Sequence, residues 1–178
     1  MHTSNLYDQL IAYNPIAEPE ISFKTKMLEL LKINPNCFER SSTAAHFTAS
    51  CWLLNKAGDK ALLLHHKKLD RWFQLGGHAD GDSDLLHVAI KEAQEESGID
   101  NIIATQDDIF DVDIHTIPAN SKDATHDHYD VRFLLQVADD TEIQQNHESN
   151  ELRWIGKALE DLPTQNESVL RMFRKWIS

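Results

Sequence analysis

The stretch from Gly76 to Ile99 constrains this chain more than any other part of it. A short run of strand-forming residues, Trp72 to Leu75, closes on the glycine pair Gly76-Gly77. An Asp- and Gly-rich loop then leads to Ser83-Asp84, residues suited to cap a helix over Leu85 to Ser97, and Gly98 stops that helix. At about 100° per residue, Glu92, Glu95 and Glu96 fall in one sector roughly 100° wide, with Leu85 and Val88 in the same sector one or two turns earlier. The carboxylates therefore continue the apolar side of the helix. An acidic run on a helix is ordinarily a solvated face, whereas this one lies on the side that turns toward the protein. Three carboxylates held close and partly desolvated repel one another and shift toward protonation. A hard divalent cation removes that conflict, and oxygen donors alone suit Mg2+ or Mn2+.

The rest of the chain supplies a domain to hold such a helix. Its 178 residues fit one globular domain. Residues 3 to 33 carry helical patterning broken at Asn14-Pro15 and closed at Asn34-Pro35. We read residues 1–40 as an N-terminal helical extension, packed on the domain or used for dimer contacts, and 41–178 as the domain itself. Strands are predicted over Phe47 to Leu54, Ala61 to His65, Trp72 to Leu75, Ile109 to His115, Tyr129 to Val137 and Leu152 to Ile155. A C-terminal helix follows from Ser168 to Trp176. A mixed sheet with helices on its faces, an α/β architecture, is the natural arrangement.

Composition removes several function classes. Hydrophobic residues make up 41% and charged residues 26%, as in ordinary folded proteins. No apolar run approaches the roughly 18–20 residues of a membrane helix, and the N-terminus lacks the pattern of a signal peptide. A cytoplasmic protein with no membrane partner is the expectation. Cys37 and Cys51 are too few for a disulfide framework and read as reduced, buried thiols. A net charge of −12 argues against a nucleic-acid polymer as partner. It permits a small anionic substrate where something local supplies positive charge.

The Gly76–Ile99 segment resembles the Nudix box: Gly, five residues, Glu, seven residues, then Arg-Glu-apolar-any-Glu-Glu-any-Gly-apolar. Reading from Gly77, the chain supplies Glu92, Ala93, Glu95, Glu96, Gly98 and Ile99 in register. Ser83 stands in place of the first Glu and Lys91 in place of the Arg. In the family these two residues form an ion pair, and their replacement suggests a weaker brace from Lys91 to Asp82 or Asp84. His46-Phe-Thr-Ala-Ser50, Asp111-Val-Asp-Ile-His115, His128-Tyr-Asp-Val-Arg-Phe133 and Glu148-Ser-Asn-Glu-Leu-Arg-Trp154 are also similar to a group of bacterial Nudix proteins.

The resemblance implies an α/β/α sandwich around a mixed sheet. It implies an enzyme that hydrolyses a phosphoanhydride in a nucleoside diphosphate linked to another group, such as a nucleotide sugar, ADP-ribose or a modified nucleotide. Mg2+ or Mn2+ would be held by Glu92 and Glu96, with Glu95 and the Gly76 carbonyl as further ligands. Glu92, Glu95 and the loop residue Glu148 are the catalytic candidates, the general base being either a box glutamate or Glu148, with Glu151 as the lesser loop alternative. Many relatives are dimers, so a homodimer is a possible assembly. Two other readings remain at this point: a Nudix-fold binding regulator without catalysis, and isopentenyl-diphosphate isomerase. The second lacks support, because Leu75-Gly-Gly-His78 has no cysteine where that family has one.

Ten histidines raise the question of a transition-metal site at His65-His66 or His126-Asp-His128. On a strand, His128, Asp130 and Arg132 share one face, and Tyr129, Val131 and Phe133 take the other. That polar face is a candidate substrate cleft, with His78, His128 and Arg132 as substrate-binding candidates. A structural ion pair with Asp130 is the alternative for Arg132, and loop packing is the alternative for His78.

Overall fold

The computed structural model describes residues 5–119, 124–139, 142–144 and 149–178. The elements run α1 (Leu6–Ala12), α2 (Glu18–Ile33), β1 (Ala45–Leu54), β2 (Ala61–His66), β3 (Arg71–Phe73), β4 (Leu75–His78), α3 (Leu85–Ser97), β5 (Ile102–Ala104), β6 (Asp111–Ile117), β7 (His126–Val137), β8 (Ser149–Ile155) and α4 (Glu167–Ile177). β1 is buried along its length apart from its first residue, so both of its faces must be covered. Phe47, Ala49, Cys51 and Leu53 enter one core with Leu85, Val88, Ala89 and Ala93 of α3. Trp52 and Leu54 enter a second core with Val169, Leu170, Met172 and Phe173 of α4. The sheet therefore lies between α3 and α4, and three layers result.

β1 pairs with β7 in parallel over Ala45 to Leu54 and uses its other edge for both β4 and β2, each antiparallel. β7 likewise gives its second edge to β6 and β5. The expected mixed sheet is present. The run Trp72 to Leu75, expected as one strand, is divided at Gln74: β3 pairs with β2, and β4 pairs with β1. At that break the Gln74 amide reaches toward Ser50 and Asp130. β5 was not anticipated from the sequence.

The N-terminal helices are part of the main core, since Leu6, Leu10, Met27 and Leu30 join it. Burying side chains of this size stabilises by about 1.5–3 kcal/mol each. A second attachment is ionic. Glu20 of α2, only 1% exposed, pairs with Lys175 of α4 and lies 4.0 Å from Arg171. Its carboxylate also accepts the Tyr13 hydroxyl hydrogen bond. Among the described residues no helix is long and apolar enough to cross a membrane. Both cysteines are buried and free, as expected.

Candidate active site

α3 begins and ends where the sequence indicates. The Asp84 side chain accepts from the His87 N–H at 3.1 Å, and Gly98 closes the helix with φ 69°. α3 packs on β4 at the glycine pair. The Gly76 N–H donates to Glu96 Oε2 at 2.9 Å. A Cβ on Gly77 would collide with the Glu92 carboxylate, so that carboxylate lies directly against the strand backbone. Glu92 and Glu96 are both half-buried. Burial and then the neighbouring Glu95 push the Glu92 carboxyl above the usual carboxylate range. This all-oxygen donor set at a strand-helix corner fits a hard divalent cation, which would relieve that unfavourable charge.

Glu95 differs from the inward placement expected of it. Its side chain is 58% exposed and lies 3.7 Å from Lys91 one turn earlier. The buried arc of α3 runs through Leu85, Val88, Ala89, Ala93 and Ser97. Glu92 and Glu96 fall within that arc at ~100° per residue, and Glu95 falls just beyond its edge. Lys91 is therefore engaged with Glu95, and the expected brace to Asp82 or Asp84 is not the one the structure uses. Asp84 caps the helix, and Asp82 accepts from the Asp84 N–H and contacts His87 Nδ1 at 2.8 Å. The loop is held instead from the segment before β1. Arg40 grips Asp80 with two guanidinium nitrogens, and the Gly81 N–H donates to the Phe38 carbonyl at 2.9 Å. Sequence reasoning missed Arg40, which no local motif marks.

The polar face of β7 divides into two halves. At one end, Arg132 is 1% exposed and donates to Asp130 and Asp111 at 2.8 and 3.0 Å, with Asp113 at 3.4 Å. Asp130 also accepts from Thr48 and Ser50. Arg171 and Lys175 of α4 close over Asp111 and Asp113. The expectation that Arg132 meets substrate is corrected here. Its guanidinium is engaged by three carboxylates beneath α4, as the structural alternative required. At the other end, His78 and His128 do come together, with their ring centroids 4.8 Å apart, and both also pack on His46. Burial and then the charges of Arg40 and His46 push His78 down to about 4, and burial with the surrounding imidazoles lowers His128 as well. Glu148 lies outside the described residues. Glu151, in β8, pairs with Arg153 at 2.8 Å.

Comparison with known proteins agrees with this geometry. The family model described as NUDIX domain matches residues 44–176. A Nudix-family hydrolase structure from Clostridium perfringens is 25% identical, with a TM-score of 0.51, over 74% of this chain and 95% of that one. The E. coli dihydroneopterin triphosphate pyrophosphohydrolase is 15% identical with a TM-score of 0.57, over 74% of this chain and 94% of that one. A MutT Nudix hydrolase from Burkholderia pseudomallei is 17% identical with a TM-score of 0.51, over 72% and 95%. The chain belongs to the Nudix family.

Proposed function

We propose that this enzyme uses water to cleave a phosphoanhydride bond in a nucleoside diphosphate linked to a second group, such as a nucleotide sugar, ADP-ribose or a modified nucleotide. The observation that carries this reading is the convergence of Glu92 and Glu96 on the Gly76-Gly77 backbone, a half-buried set of oxygen donors. Glu92, Glu96 and the Gly76 carbonyl would hold Mg2+ or Mn2+, with Glu95 on the solvent flank of the same corner. A divalent cation bound there screens phosphate charge and makes water a better nucleophile. Such a cation also supplies the positive charge that a protein of net charge −12 lacks for an anionic substrate.

The chain's own residues have separable tasks. The Gly76 N–H fixes one Glu96 oxygen and so orients the carboxylate. Glu92, desolvated on the strand, is raised in basicity and positioned to bind a cation or take a proton. Glu148 is the proposed loop base, in competition with Glu95.

A panel of nucleoside diphosphate derivatives, assayed for phosphate release with Mg2+ and with Mn2+, tests the reaction. Glu96→Gln is expected to lower kcat by about 10²–10³-fold while the circular dichroism spectrum and Tm stay near those of the parent. Turnover close to parental in that variant would overturn the assignment. Glu148→Gln and Glu95→Gln, compared for a kcat loss of about 10²-fold at constant KM, decide which is the base.

A further inference from the structure

We propose that His46, His78 and His128 form a second metal site, made of nitrogen donors and suited to a borderline cation of the Zn2+ type. Strand register brings them together. His46 of β1 is the direct parallel partner of His128 of β7, and His78 ends β4 opposite Thr48, on the same face two residues along. One ligand nitrogen from each lies within 4.8 Å of the others.

The hydrogen bonds around these rings set the tautomers. His46 is 3% exposed, and its Nδ1 lies 3.1 Å from the Ser42 carbonyl, which can only accept, so Nδ1 carries the proton. Its Nε2 therefore presents a lone pair, is buried, and has no hydrogen-bond partner among the described residues. A buried polar atom left so is destabilising, and a cation would satisfy it. Backbone carbonyls behind Nδ1 are also the usual outer support of a metal-binding histidine.

His126 repeats the arrangement. Its Nδ1 faces the Ala124 carbonyl at 2.8 Å, and its Nε2 faces His128 Nε2 at 3.2 Å. That contact needs either an N–H on His128 Nε2 or a metal between the two nitrogens. Tetrahedral zinc with Zn–N bonds of about 2.0–2.1 Å separates neighbouring nitrogens by about 3.3 Å, close to that spacing. His126 borders the site through this contact, outside the three residues whose ligand nitrogens all lie within 4.8 Å of one another. Arg40, the cation that acts on His78, is itself neutralised by Asp80.

The donor chemistry separates this site from the glutamate corner. Imidazole favours Zn2+, Co2+, Ni2+ and Cu2+, whereas carboxylate and carbonyl oxygens favour Mg2+ and Mn2+. A metal here would tie β1, β4 and β7 together two residues beyond Gly76, the residue whose N–H orients Glu96.

Full-length protein stripped with chelator and titrated with Co2+ in excess Mg2+ provides the test. The expected result is one equivalent of Co2+ with the visible absorption of a tetrahedral nitrogen site, displaced by one equivalent of Zn2+. His128→Gln and His46→Gln should each weaken binding by about 10- to 100-fold or more. Glu92→Gln and Glu96→Gln should leave both the spectrum and the stoichiometry unchanged. Should buried His46→Gln fail to fold, half-buried His78→Gln replaces it. Absence of the Co2+ band in the parent protein would overturn the proposal. Loss of the band in the glutamate variants with retention in the histidine ones would do the same.

Discussion

Gly77 has no positive φ, so its need for glycine is one of space. It is paired with Ala49, buried in the middle of β1, and the strand cannot retreat when a side chain is added. Gly77→Ala therefore displaces the Glu92 carboxylate while leaving the sheet intact. A loss of about 10²-fold in kcat/KM is expected, as for other small misplacements of catalytic groups, with an increased Mg2+ requirement. An unchanged Mg2+ titration in that variant would show that Glu92 is not held by this contact. Glu92 and Glu96 were legible in the sequence because a carboxylate on the apolar side of a helix demands a partner. The same rule does not name the partner. Glu20 shares the apolar stripe of α2 with Met27 and Leu30, and its partners are Lys175 and Arg171. A cation, metallic or from a side chain, solves the same electrostatic problem.

Between elements, the Glu20–Asp111–Arg132–Arg171–Lys175 network joins α2, β6, β7 and α4. Removing one member leaves its opposite charges buried, which typically costs about 3–5 kcal/mol. Arg132→Met is accordingly expected to lower Tm by about 6–20 °C, with KM unchanged below the transition. A raised KM at unchanged Tm would instead put Arg132 against substrate. Helix α3 and the alternation of β7 could be read in advance because caps and periodicity are local signals. The ionic network could not, since its members come from residues 20 to 175 and meet only after the sheet has formed. The histidine cluster is hidden for the same reason: His46 and His128 become neighbours only through parallel pairing of β1 with β7. The division at Gln74 is likewise tertiary, because β3 and β4 answer to different neighbours.

For the molecule as a whole, this network sets an acid limit on stability. Burial alone would raise the Asp111 and Asp113 carboxyls. For Asp111 the Arg171 hydrogen bond and the charges of Arg132, Arg171 and Lys175 outweigh burial. For Asp113 the His115 hydrogen bond, the Arg132 charge and Arg171 do so. Both carboxyls thus stay ionised in the folded protein at pH values where the unfolded chain, near pKa ~3.9, already takes up protons. Folded values below unfolded ones mean that the stabilisation is complete above about pH 4 and is lost as pH falls toward the folded values. Each such proton contributes about 1.4 kcal/mol per pH unit to the slope, so two give about 3 kcal/mol per unit below pH 4. Denaturant titrations of chelator-treated protein at pH 5 and pH 3 measure that slope. Asp113→Asn removes one such proton and should make the decline shallower by about 1.4 kcal/mol per pH unit, although the variant begins less stable. An identical slope in the variant and the parent would mean that the buried aspartates are not what limits the fold in acid.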